Sequence, residues 1–183
     1  FEVSDGGSEW SHANGVSVTD DGELLLSLRN PSAVVALDGD PASPTFLDLR
    51  WVASGSEPVL PTDYRPATDE GRFLAQHNAT RVGDQLWLFD NVGDPASSRA
   101  VRYTMDHAAG LLRLDHAYPV GAVCPVQGGA EPIPGGVLTT CSDDGHVQAF
   151  DDGADAPRWS LSGTCLGEPG LRTVNRALPV LLP

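Results

Sequence analysis

Three times in its 183 residues the chain repeats one unit, namely a short strand, a tight turn, an apolar strand, a polar break and a further strand. The first pass runs through Val16-Ser17-Val18, a turn at Asp20-Asp21-Gly22, residues 23–28, a break at Asn30-Pro31 and residues 33–37. The second has residues 79–82, a turn at Gly83-Asp84, residues 85–90, a break over 93–98 and residues 100–103. The third has residues 131–133, a turn at Pro134-Gly135-Gly136, residues 137–141, a break over 142–145 and residues 146–150. The passes recur every ~50 to 60 residues, near the period of β-propeller blades. In the first two passes the apolar strand does not alternate: Leu24, Leu25, Leu26 and Leu28 in one, Leu86, Trp87, Leu88 and Phe89 in the other. A strand that is apolar on both faces needs cover on both. Stacked blades supply that cover, as does a β-sandwich, and repetition of the whole unit favours blades.

The expectation is therefore an all-β chain of antiparallel three- or four-stranded sheets, a partial propeller of about three to four blades. Residues 1–183 form a single propeller-like domain, within which residues 38–72, rich in proline and acids, break the rhythm as an irregular blade or a loop insertion. A structureless loop of that length is uncommon unless it is functional. No segment has helical periodicity, and residues 105–111 read as a hairpin turn. The 20 glycines and 15 prolines are scattered between apolar runs, as many tight turns require.

Charge narrows the function. A formal net charge of -14 repels nucleic acid and anionic membranes, both of which need clustered basic side chains. All 11 basic side chains are Arg, which excludes Schiff-base and lysine-nucleophile chemistry; a GC-rich genome is the blander cause of that usage. No apolar run reaches the ~18 residues of a membrane span. The chain opens on Phe1 without a basic, apolar leader and reads as an internal start. Cys124 and Cys141 flank a Gly/Pro-rich hairpin and suit a bridge in an oxidising compartment, leaving Cys165 over. The three cysteines include no CxxC, so neither a zinc site nor a disulfide scaffold is indicated.

Two histidines sit before the first strand of a pass: His12 in Trp10-Ser11-His12-Ala13-Asn14, and His77 in Ala75-Gln76-His77-Asn78-Ala79. The innermost strand of each blade lines the propeller axis, so both would face one axial pocket. Arg29-Asn30 follows the apolar strand of the first pass and Asp90-Asn91 that of the second. His107, His116 and His146 read as structural. Taken as a set, His12, His77 and Asp90 also admit a metal-ligand reading, although their spacing is not compact. Trp10, Tyr64 and Phe73 are candidates to line an aromatic-ligand site, each with a packing role as the plainer reading. Asn78-Ala79-Thr80 fits a glycosylation sequon by chance.

Trp-Ser-His-Ala-Asn-Gly-Val with Asp-Gly-Glu-Leu-Leu-Leu-Ser-Leu-Arg-Asn, and Gln-His-Asn-Ala with Leu-Trp-Leu-Phe-Asp-Asn and Ser-Arg-Ala-Val, resemble the motifs of the bacterial arylsulfotransferase family. The ending, Val174-Asn175-Arg176-Ala177 through Leu182-Pro183, is similar to that family's closing segment. The resemblance covers nearly the whole chain and falls on the family's C-terminal part. It implies a six-bladed propeller, periplasmic or otherwise outside the cytoplasm and in some members lipid-anchored. It implies transfer of a sulfuryl group from an aryl sulfate ester to a phenol, with no cofactor and no metal. By motif position His77 becomes the transiently sulfated residue, and His12, Asn14 and Arg29 hold the sulfate. Imidazole is nucleophilic at neutral pH, and a covalent intermediate divides one difficult transfer into two. An arginine fork suits the sulfuryl oxygens. The family's upstream half, with a further active-site histidine, has no counterpart here, and its lysine cannot be matched in a chain without lysine. N-terminal blades or a second chain would then complete the ring. The alternative is a non-catalytic propeller that binds a ligand or a protein.

Overall fold

A computed structural model describes residues 10–58, 60–92, 97–143, 145–163 and 177–178. Cys165 and residues 174–176 and 179–183 of the closing segment lie outside the described residues.

The first sheet runs β1 (Ala13–Val18), β2 (Glu23–Leu28), β3 (Ala33–Asp38) and β4 (Leu49–Ser54), each antiparallel to the next. The second has the meander β6 (His77–Val82), β7 (Gln85–Asp90), β8 (Arg99–Asp106) and β9 (Leu111–Pro119), with the two-residue β5 (Arg65–Pro66) parallel to the outer edge of β9. The third runs β10 (Gly129–Ile133), β11 (Gly136–Cys141), β12 (His146–Asp151) and β13 (Trp159–Ser162). The three sheets are propeller blades in chain order, with β1, β6 and β10 as their inner strands. Among the described residues no helix is long and apolar enough to cross a membrane.

Residues 38–72 supply β4, the outer strand of the first blade, and then β5 and a short 3-10 turn at Asp69–Gly71 that pass to the edge of the second blade. Chain that reads as irregular thus finishes one blade and begins the next. The tight turn of residues 107–110 joins β8 to β9, as the lack of helical periodicity requires.

The doubly apolar strand β7 accounts for the core. Leu86 and Leu88 pack with Leu25, Val34 and Trp51 of the first blade. Trp87 and Phe89, on the opposite face, pack with Val137 and Phe150 of the third and with Cys124 of the connection that leads to it. A sheet covered on both faces by neighbouring sheets has no polar face to present, which is why β7 does not alternate. In β2 only one face has such cover: Leu25 is wholly buried, whereas Leu24 and Leu26 are half-buried beside the exposed Val16 and Val18.

Candidate active site

The inner hairpin of each of the first two blades carries a bulge. The β1–β2 register shifts between Ala13 and Gly15, and the β6–β7 register shifts between His77 and Thr80. A bulge adds an unpaired residue and re-aims the side chains around it. At the first, the Asn14 amide donates to the Gln76 carbonyl at 2.7 Å; at the second, Asn78 donates to the Ala130 carbonyl at 3.1 Å. Each asparagine therefore ties its blade to the next. Asn14, expected to hold sulfate, has a junction partner for its amide nitrogen, and its Oδ1 is buried with no hydrogen-bond partner.

Counted from the pairs Ser17–Leu25 and Thr80–Trp87, His77 occupies the place of Asn14, and His12 that of Ala75, which shares its positive φ. The two histidines are thus not at equivalent positions. His12 is exposed in the left-handed region with φ 42° and lines a shallow cavity of about 300 Å³ with Trp10, Ser11 and Ala13. Its carbonyl accepts the Arg29 N–H at 3.2 Å, which fixes Arg29 beside it at the end of β2. The Arg29 guanidinium is loosely held: Nη1 reaches Asn30 Oδ1 at 3.3 Å and Nη2 the Pro125 carbonyl at 3.5 Å, both neutral oxygens at long distance.

His77, the first residue of β6, is 6% exposed. Its Nδ1 lies 2.8 Å from Asn91 Oδ1 and 3.2 Å from the Ala75 carbonyl. Burial holds the imidazole pKa below its ordinary value; hydrogen bonds to Asn91 and Ala75 pull upward, and the charges of Arg29 and His12 push it down again. The charges of Arg29 and His12 thus reach His77, while of the three side chains only His12 is a lining residue of the cavity at Trp10.

Backbone strain gathers here. Non-glycine residues with positive φ are His12, Ser32, Leu47, Ala75, Asn78 and Gln127 among the described residues. Each costs ~1 to 3 kcal/mol and persists only where its surroundings impose it. Ala75 and Asn78 flank His77, the Gln127 carbonyl accepts from Asn91, and Ser32 Oγ accepts the Ala75 N–H at 3.1 Å. Only Leu47 lies away from this cluster.

Asp90 does not join the histidines. Its carboxylate accepts from Arg99 Nε at 2.9 Å and from the Leu74 N–H at 3.0 Å, so the metal-ligand set does not form. No group of three or more His, Cys, Asp or Glu able to hold a metal occurs among the described residues. Of the candidate aromatics, Trp10 stands at the cavity beside His12. Tyr64 instead packs edge-on to Trp51 and bonds His107, and Phe73 is wholly buried against Tyr103. Cys124 and Cys141 are bridged, with Cα atoms 5.7 Å apart. Asn91 has no role in the sequence reading. The one signal for it is an Asn that follows the apolar strand in both passes, at Asn30 and Asn91.

A family model described as Arylsulfotransferase (ASST) matches residues 1–112, a stretch that includes His12, Asn14, Arg29 and His77. No curated protein matches the chain. Among solved structures, hydrazine synthase of Kuenenia stuttgartiensis aligns with a TM-score of 0.54 at 9% identity, over 90% of this chain and 39% of that one. BamB of Moraxella catarrhalis aligns with a TM-score of 0.51 at 19% identity, over 92% of this chain and 44% of that one. At such identities the likeness concerns the fold alone, and the chain spans less than half of either structure.

Proposed function

Because the chain belongs to the arylsulfotransferase (ASST) family, we propose that it carries the sulfuryl-transfer site of an aryl-sulfate:phenol sulfotransferase, with His77 as the residue that is transiently sulfated. The observation that carries this reading is a buried imidazole, held below its ordinary pKa, with the Arg29 guanidinium charge near enough to act on it. A neutral imidazole keeps a lone pair for attack at sulfur, and a loosely held guanidinium can turn its fork to two sulfuryl oxygens. In the first half-reaction an N–S bond forms at His77 as the S–O bond to the aryl group breaks, and the phenolate leaves with the electron pair. In the second the acceptor phenol loses its proton, its oxygen bonds to sulfur, and the N–S bond breaks. His12, exposed at the cavity with Trp10, stands where the departing or arriving phenol would pass. The bridged Cys124–Cys141 pair supports a location outside the cytoplasm, periplasmic or extracellular. Further blades, in a longer chain or a partner, would complete the ring.

The test is incubation with an aryl sulfate ester such as 4-nitrophenyl sulfate, followed by mass spectrometry at neutral and acidic pH. The expected result is one acid-labile sulfuryl group on His77 and loss of turnover in His77→Ala. Full turnover in that variant would sink the reading. The alternative, a non-catalytic propeller that binds a ligand or protein, draws on Asn14, whose amide ties one blade to the next; it predicts no label at all.

A further inference from the structure

We propose that Asn91 is a positioning residue that holds His77 in its Nδ1–H tautomer, so that Nε2 presents the attacking lone pair; the chemistry rests on the sulfohistidine reading, while the geometry does not. Asn91 follows β7 and is wholly buried. Its Nδ2 lies 2.6 Å from the Cys124 carbonyl and 2.6 Å from the Gln127 carbonyl. Carbonyl oxygens only accept, so the amide nitrogen belongs on that side and spends both of its hydrogens there. The amide oxygen is then the atom turned to His77 Nδ1, at 2.8 Å, and the Ala75 carbonyl approaches the same nitrogen at 3.2 Å. Two acceptors on one ring nitrogen are satisfied only if it carries the proton. In the neutral ring Nε2 is therefore bare.

The amide cannot rotate without losing this set. Ser98 Oγ donates to the Asn91 carbonyl at 2.6 Å and accepts the Cys124 N–H at 2.8 Å. Cys124 is bridged to Cys141 at the end of β11. The third blade thus fixes a tautomer in the second.

The arrangement also suits the transfer. As Nε2 bonds to sulfur and the aryl oxygen leaves as phenolate, to be protonated by solvent, the ring becomes cationic and keeps its Nδ1–H. The bond to Asn91 Oδ1 becomes charge-assisted at that moment and strengthens. When the acceptor oxygen takes the sulfuryl group, its proton passes to solvent and the ring returns to the neutral Nδ1–H form.

The test is ¹⁵N NMR of the histidine-labelled intact protein, with the His77 signals assigned through His77→Gln. At neutral pH the wild type is expected to show a protonated Nδ1 and a bare Nε2. Asn91→Leu is expected to give mixed tautomers and a fall in kcat of about tenfold to hundredfold with little change in KM, the range known for outer-shell partners of metal-bound histidines. Asn91→Asp retains the acceptor but adds a negative charge. The charged groups that act on His77 are Arg29, at the end of β2, and His12, ahead of β1, both cationic when protonated. A carboxylate at 91 opposes them, favours the imidazolium and moves the acid limb of kcat/KM to higher pH. A wild-type Nε2–H tautomer overturns the inference, as does an unchanged tautomer in Asn91→Leu. If Asn91→Leu does not fold, an acid limb unmoved in Asn91→Asp overturns it equally. An Nδ1–H tautomer without any sulfuryl label supports this role of Asn91 while removing the proposed activity.

Discussion

His77 couples burial to pH. Its folded pKa lies below the ordinary value, chiefly through burial and then through the Arg29 and His12 charges. The unfolded value is about 6.5, so between the folded pKa and that pH the unfolded chain binds more protons. Stability therefore rises with pH through that window; the contribution is complete above about pH 6.5 and is lost as pH falls. Urea unfolding from pH 7.5 downward is expected to show a loss in the wild type that His77→Gln lacks. The acid limb of kcat/KM should lie below about pH 6.5, and a limb above it would contradict the environment described. Under the proposed sulfuryl transfer, Arg29→Gln removes the fork that would bind the sulfuryl oxygens. It is expected to cost about 3 kcal/mol of transition-state stabilisation, roughly a hundredfold in kcat/KM, at unchanged melting temperature.

At the scale of elements, the apolar strands were the most legible part, and β2 and β7 keep the bounds their sequence suggests. The inner strands run longer than their sequence suggests, beginning at Ala13, His77 and Gly129; in the first two a bulge breaks the alternation that marks a strand. The pairing registers place His12 and His77 two residues out of step, an offset that the motifs along the chain do not show. The segment that seats Asn91 is the element most open to test. Gly128 has φ 101°, and a Cβ there would lie 2.5 Å from the Phe89 ring, itself wholly buried. Gly128→Ala is expected to destabilise by roughly 1 to 3 kcal/mol, read as a shift in urea midpoint at constant slope. The bridge spans a sequence separation of 17, so Cys141→Ser should lose about 3 kcal/mol through the freed unfolded chain.

The whole molecule shows what stacking achieves and what it leaves uncovered. The second blade is sandwiched, the first is covered on one face, and on the far face of the third Leu138, Val147 and Ala149 are buried with Ala177 packed against them. On the first blade Val16 and Val18 are 63% and 69% exposed, and on the third Trp159 and Leu161 are 44% and 61% exposed. Apolar side chains exposed in a row along a strand favour association. Sedimentation velocity of these 183 residues is expected to show concentration-dependent self-association, reduced in Val16→Thr/Val18→Thr, and a monomer at all concentrations would contradict this. The net charge of -14 opposes such association, so added salt should strengthen it.

Sequence by itself determined the blade repeat, the chemistry available at the site and the exclusion of lysine chemistry, because periodicity and residue type are local properties that survive without a fold. Only the tertiary structure decided how those residues meet. It buried His77 within reach of the Arg29 and His12 charges, gave Asn14 to a blade junction and Asp90 to Arg99, and set Asn91 between His77 and the bridged Cys124. The reason is physical: hydrogen-bond partners and burial are fixed by contacts between blades tens of residues apart, and no spacing along the chain encodes which carbonyl an amide will find.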